Sequence, residues 1–343
     1  MFCGNTIRRW VNAMLPGPRE GAMPDPTRRS ADASGDAGAA ATDVALRILL
    51  ERCVRRFSLV DVGARWGFND RWKRISDSAD VLCFEPDADE AGRLNAACSP
   101  NVRYLPFGLA EVAAEQTLYV TVDPACSSVH QPIAALYEHY PALVCTTPKR
   151  TIPISCRSLD DVLAMERIAD VDIVKLDTQG SELAILRGAT RMLARCVLVD
   201  IEVEFNPLYA GQGLFCHVDE FLRAHGFILW RLENLVHYPT ETLAAVRADM
   251  TMTADPGGSI IAPVLNGQLF WGQAQYVRAA YPRTGAESLP PEQAIPAAVV
   301  AGIYGFWDLS LELIRKTGDI ELHRRVHTIL ESASGNGTGS RSG

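Results

Sequence analysis

Between Phe57 and Leu235 the chain alternates short apolar runs with segments of helical periodicity, and this alternation restricts the fold more than any other property of the sequence. FSLVDVG, DVLCFEP, NVRYLPFG, DIVKLDTQG, CVLVDIEVEF and FILWRLENL read as strands. The stretches between them, such as Asp87 to Ala97, SELAILRGATRMLA and HVDEFLRAHG, repeat apolar residues at helical spacing. Strands that alternate with helices build parallel βαβ units, so the expected architecture is α/β: a doubly wound, mostly parallel, Rossmann-like sheet. QTLYVTV and GQLFWGQAQYV add two strands, and residues 126–149 read as an irregular insertion with a short helix near Ile133 to Tyr140.

The division expected along the chain is a disordered N-terminal extension over 1–42, the main domain over 43–285, a C-terminal helical extension over 286–331 and a disordered tail over 332–343. Residues 17–41 are rich in Ala, Gly, Pro, Asp and Ser, a composition with little apolar surface to offset ordering entropy.

Of the 343 residues 48% are hydrophobic, as in an ordinary globular protein, and the formal net charge is −8. Nucleic acid is not an expected partner, because phosphate binding needs clustered Lys and Arg. No apolar run reaches the ~18 residues that cross a bilayer. Arg8 and Arg9 interrupt the first apolar stretch and Pro16 and Pro18 follow it, which makes a poor signal peptide. The nine cysteines lack metal-knuckle or dithiol spacing and read as reduced, mostly buried thiols of a cytoplasmic protein. Nothing in the sequence bears on oligomeric state.

Three segments carry chemistry. In VDVGARWG a strand ends at Asp61 and Gly63 and Gly67 form the following turn, where a missing Cβ lets backbone approach a ligand at the carboxyl edge of the sheet. LCFEP ends the next strand at Glu85, a carboxylate placed to accept hydrogen bonds from ribose hydroxyls. The two together suit an adenosine-containing cofactor. Residues 63–68 read GARWGF, without the G-x-G-x-x-G of pyrophosphate binding, which disfavours a nicotinamide-dependent oxidoreductase. Each feature also has a plain structural reading, a tight turn for the glycines and a surface carboxylate for Glu85.

With IVKLDTQGSELAILRGA at 173–189 and VDIEVEF at 199–205, these segments closely resemble, in order and spacing, the FkbM family of methyltransferases over about residues 57–232. The resemblance implies class I methyltransferase topology, S-adenosylmethionine as methyl donor, and O-methylation of a sugar, glycan or natural-product hydroxyl. Its donor site would comprise Asp61, Gly63, Arg65, Gly67, Glu85, Pro86, Asp87 and Gly108. Arg65 stands where the family usually has Asn, and Gln179 where it usually has Glu. A non-catalytic relic that still binds cofactor is the rival reading, and those two departures are what favour it.

Methyl transfer from a sulfonium asks the protein to align an acceptor oxygen and remove its proton. Asp177, at the end of DIVKLD, is the leading candidate for that base. Glu202 and Glu204 are alternatives, two apart and therefore on one side of their strand, or else solvated strand-end carboxylates. Glu182, in the first turn of a helix, is read as structural. Ser127 and Ser128 match a family serine pair and either line the acceptor pocket or merely solubilise a loop. His323 and His327 read as a surface pair rather than metal ligands. Phe270, Trp271, Phe306 and Trp307 read as docking a C-terminal helix more readily than as a sugar-stacking wall.

Overall fold

The computed structural model describes residues 28–240, 247–254, 258–265, 267–280 and 291–334, with side chains described for 38–240, 267–280 and 293–332. Seven strands form the central sheet: β1 (Phe57–Val62), β2 (Ala79–Phe84), β3 (Val102–Leu105), β7 (Ile173–Leu176), β8 (Leu198–Glu204), β9 (Phe227–Tyr238) and β12 (Gln268–Arg278). Their order is β3-β2-β1-β7-β8-β12-β9. The pairings β3-β2, β2-β1, β1-β7 and β7-β8 are parallel, and β12 runs antiparallel to both of its neighbours. The chain steps outward from β1 to β3, then returns to build the other half from β7. A topological switch point therefore lies between β1 and β7, where the carboxyl ends of two parallel strands leave a crevice.

Strand alternation decides what lies on each face. Phe57 and Leu59 enter one core with Ile173, Leu198 and Val277, while Val60, Val62, Val174, Leu176, Val199 and Ile201 enter the other. The second face is covered by α3 (Leu159–Met165), α4 (Glu182–Arg187), α5 (Thr190–Leu193) and α6 (Phe215–Ala224). The first is covered by α1 (Arg28–Leu50), the 3-10 helix Asp70–Ser78, α2 (Ala88–Ala97), α7 (Pro291–Ile303), α8 (Trp307–Lys316) and α9 (Ile320–Ser334). Helices on both faces make the sheet doubly wound, as expected.

A second sheet, β4 (Gly108–Leu109), β5 (Ala114–Thr121) and β6 (Pro148–Arg157), flanks the insertion. Within the insertion the helical segments are two short 3-10 turns, Ala134–Leu136 and Pro141–Thr146. β10 (Arg247–Ala254) and β11 (Gly258–Leu265) pair antiparallel in a two-stranded sheet of their own.

The start of the first helix departs from expectation. Helix α1 begins at Arg28, inside the stretch expected to be disordered through residue 42. The residues ADASGDAGAAATD are rich in alanine, the strongest helix former, and they lead without a break into Ala45, Leu46, Ile48 and Leu49, all buried. Residues 1–27 and 335–343, the rest of the expected N-terminal extension and most of the expected tail, lie outside the described residues. Leu49 of α1, Val299 of α7, Leu313 of α8 and Val326 of α9 belong to one core with Phe57 and Leu59, so residues on both sides of 285 share a single interior. Phe306 lies in this core beside Trp230, whereas Phe270 and Trp271 join Tyr140, Tyr209 and Tyr238 in a separate cluster under the insertion. The four aromatics therefore form no common wall. Among the described residues no helix is long and apolar enough to cross a membrane.

Candidate active site

The turn after β1 is built to touch the turn after β7. Gly63 holds φ +86°, and a Cβ there would overlap the carbonyl oxygen of Asp177, so the switch point closes only around glycine. The N–H groups of Gly63 and Ala64 both donate to the Phe84 carbonyl at 3.1 Å, and Asp177 N–H donates to the Val62 carbonyl at 3.0 Å. The ends of β1, β2 and β7, and with them Asp61, Glu85 and Asp177, are thereby locked around one crevice.

Asp61 is buried, and its Oδ2 accepts from Asn69 N–H at 2.8 Å, which fixes the far end of the glycine turn. Its Oδ1 is buried without a hydrogen-bond partner and lies 3.6 Å from Lys175 Nζ. Burial pushes the Asp61 carboxyl above the usual aspartate range, against the pull of Lys175. In-register pairing sets Asp61 beside Lys175, and Lys175 beside Asp200. Lys175 Nζ also lies 3.2 Å from Asp177 Oδ2 and so stands between the two site carboxylates.

Glu85 is 3% exposed and accepts from Asp87 N–H at 2.8 Å. Burial raises its carboxyl to about 7, although the Asp87 amide and Arg65 pull it down. Arg65 lies 3.5 Å from Glu85 and 3.3 Å from Asp87, with its guanidinium near the Trp66 ring. It is engaged by the protein's own carboxylates rather than held free for a cofactor carboxylate. Asp87 also caps α2, which accounts for Pro86 as the bend between strand and cap. Gly67, at φ +119°, opens beside the Tyr104 hydroxyl. Gly108 stands in the second sheet, where a Cβ would come within 2.8 Å of Cys156 Sγ; packing explains its lack of a side chain.

On the opposite side of the crevice, the Thr178–Gly180 turn carries a polar layer. Gln179 adopts φ +60°, an unfavourable backbone for a side chain of its size, and is held there by its amide. Its Nε2 donates to Glu202 Oε2 at 2.6 Å and to Asp177 Oδ1 at 3.3 Å, and its Oε1 lies 3.0 Å from the Tyr209 hydroxyl. An amide can donate to two carboxylates at once, which a Glu in this position cannot do.

Glu202 and Glu204 do face one side of β8, but at 4% and 2% exposure they are not solvated strand-end groups. Burial foremost, with the neighbouring carboxylates, pushes both well above the usual glutamate range. Glu182 accepts from the N–H groups of Thr178 at 2.6 Å and Gly180 at 2.8 Å, so it pins the turn, consistent with a structural role. Ser128 Oγ donates to the Gln179 carbonyl at 2.6 Å, while Ser127 Oγ accepts from Thr121 N–H. Only Ser128 of the pair reaches the turn.

His130 was not legible as a site residue. Its backbone N–H donates to Ser128 Oγ, and its ring lies 3.6 Å from where a Cβ on Gly180 would stand. Burial lowers its pKa, and Nδ1 is 3.1 Å from the Ala210 carbonyl, which places the proton on Nδ1. Nε2 is thus left as the basic nitrogen. Its two-residue spacing from Ser128 was the available signal. His323 and His327 stack with ring centroids 6.0 Å apart, and among the described residues no group of three or more His, Cys, Asp or Glu is placed to hold a metal.

Residues 61–229 match the family profile of the methyltransferase FkbM domain. The chain is 27% identical over 199 residues to hexuronic acid methyltransferase AglP of Haloferax volcanii, covering 55% of this chain and 76% of that protein. It is 25% identical over 166 residues to 2-O-methyltransferase NoeI of Sinorhizobium fredii, covering 45% of this chain and 66% of that one. Among solved structures, precorrin-6y C5,15-methyltransferase of Geobacter metallireducens superposes with a TM-score of 0.32 and 10% identity, over 69% of this chain and 87% of that one. So loose a superposition adds nothing to the chain's own strand order.

Proposed function

Since the chain is a methyltransferase carrying an FkbM domain over residues 61–229, we propose that it transfers the methyl group of S-adenosylmethionine to a hydroxyl of a sugar, glycan or natural-product acceptor in the cytoplasm. The observation that carries this reading is the interlock of the Gly63 turn with Asp177, which brings the ends of β1 and β7 against each other at the switch point. The relatives' names, a hexuronic acid methyltransferase and a 2-O-methyltransferase, support a sugar-type acceptor.

The side chains fit such a donor. Asp61 Oδ1 is buried without a hydrogen-bond partner, suited to an ammonium or hydroxyl donor, and the buried Glu85 suits a vicinal diol. Asp61, the 63–67 turn and Glu85 would hold the cofactor, with Arg65, Pro86 and Asp87 shaping its rim. Gly108 is the weakest member of that set, because packing already accounts for it. When bound, S-adenosylmethionine supplies an electrophilic methyl group on a positively charged sulfur.

Asp177 then receives the acceptor's proton at a carboxylate oriented by Lys175 and Gln179. Glu202, buried and joined to Asp177 through the Gln179 amide, and Glu204, buried two residues further along β8, are the alternatives for that role. Isothermal titration with S-adenosylmethionine and S-adenosylhomocysteine, followed by transfer of labelled methyl to a panel of glycans, tests the reading. Binding with transfer supports it. Binding without consumption of the cofactor would indicate a relic, and binding of a nicotinamide nucleotide instead would indicate an oxidoreductase.

A further inference from the structure

The insertion brings together two thiols that are distant in sequence. Cys126 ends the short 3-10 turn Pro124–Cys126 and Cys145 lies in the 3-10 turn Pro141–Thr146, and their Sγ atoms are 3.5 Å apart. The backbone clamps the two segments: Val122 N–H donates to the Thr147 carbonyl at 2.9 Å, and Asp123 N–H to the Cys145 carbonyl at 3.0 Å. We propose that Cys126 and Cys145 form a thiol–disulfide modification site whose co-reactant is a low-molecular-weight disulfide of the glutathione class.

The separation is that of two thiols in contact, and a bond of about 2.05 Å requires the sulfurs to close by roughly 1.5 Å. The two differ in access. Cys145 is half-buried, whereas Cys126 is buried, and its neighbouring sulfur and its burial both push its thiol well up. Cys145 therefore reacts first. Its thiolate attacks one sulfur of the small disulfide, whose S–S bond breaks and releases one small thiol. Cys126 then gives up its proton and attacks Cys145 Sγ, and the second small thiol leaves. Two protein thiols are oxidised to one disulfide, and one small disulfide is reduced to two thiols, so electrons and protons balance.

The position gives the modification consequence. The Cys126 carbonyl oxygen lies 2.9 Å from the Tyr209 hydroxyl, which is also 3.0 Å from Gln179 Oε1. Two residues on, Ser128 Oγ donates to the Gln179 carbonyl. A bond from Cys126 to Cys145 would tie the loop that supports the Thr178–Gly180 turn to the second 3-10 segment. The chemistry of the site itself does not depend on the methyl acceptor.

Full-length protein incubated with oxidised glutathione, quenched in acid, alkylated with N-ethylmaleimide and mapped by mass spectrometry without reduction tests this. A Cys126–Cys145 linked peptide is expected, abolished by dithiothreitol and formed about tenfold more readily than a glutathione adduct on the exposed Cys216. Cys126→Ser should accumulate a glutathione adduct on Cys145, while Cys145→Ser should leave Cys126 free of adduct. Circular dichroism establishes that both variants are folded. Recovery of Cys126 and Cys145 both alkylated, under conditions that modify Cys216, would overturn the proposal. So would a linkage of either residue to Cys216 in its place.

Discussion

Asp177 is held by contacts of its own chain, among them Lys175 Nζ at 3.2 Å, Gln179 Nε2 at 3.3 Å and, through its backbone, the Val62 carbonyl. Asp177→Asn keeps the shape and removes the basicity, so turnover should fall by roughly 10²- to 10⁴-fold while donor affinity largely survives, as read by titration and single-turnover transfer. A variant that methylates normally would remove Asp177 from the chemistry and direct attention to Glu202 and Glu204, the first of which shares the Gln179 amide with it. Glu85 carries a pH dependence. Its carboxyl, raised to about 7, is mostly protonated at pH 6 and mostly ionised at pH 8. Donor affinity should rise about tenfold between those values if the ionised form binds, and Glu85→Gln should flatten the profile. The same burial acts oppositely on the unliganded fold. The folded state binds the Glu85 proton more tightly than the unfolded chain, so this group's contribution to stability is greatest at acid pH and declines as pH rises from about 4.5 to about 7.

The elements that matter most are the two turns that meet at the switch point. Their contact leaves no room for a methyl group, and the Gly63 backbone at φ +86° is itself costly for any other residue. Gly63→Ala should therefore cost about 3 kcal/mol or more of stability, or force the turns apart and abolish donor binding. Thermal melts and titration on the same preparation check this, and a variant with parental melting and affinity would show that the turns do not touch. The Thr178–Gly180 turn depends on its neighbours in a similar way. Glu182 satisfies its amides from within the next helix, and Ser128 reaches it from the insertion.

At the scale of the molecule, α1 and the C-terminal helices complete the interior of the sheet. Trp72 Nε1 donates to the Tyr304 hydroxyl at 3.2 Å, and Arg71 forms a buried pair with Glu233 at 2.5 Å, linking the 3-10 helix Asp70–Ser78 to the turn after α7 and to β9. Leu313 of α8 is fully buried in the core shared with β1. Leu313→Ala should lower stability by about 2–5 kcal/mol. The loss should appear as one cooperative transition in which helical signal and donor binding disappear together. Two separated transitions would mean that the C-terminal helices form an independent unit.

Local pattern alone determined much of this protein. Apolar alternation specified the strands and helical spacing the covering layers, and the segments ending at Asp61, Glu85 and Asp177 announced themselves because a strand terminus followed by glycine or proline is a feature of neighbouring residues. Periodicity encodes which face a residue takes but not which distant residue it meets there. Only tertiary structure could turn Arg65 toward Glu85 and Asp87, bury Glu202 and Glu204, give the Gln179 amide two carboxylates to bridge, or bring Cys126 against Cys145. The same holds for α1, which begins within a stretch whose composition suggested disorder and runs into the common core. Each of these outcomes depends on chain segments that approach only after the sheet has assembled, and so was absent from any local window of sequence.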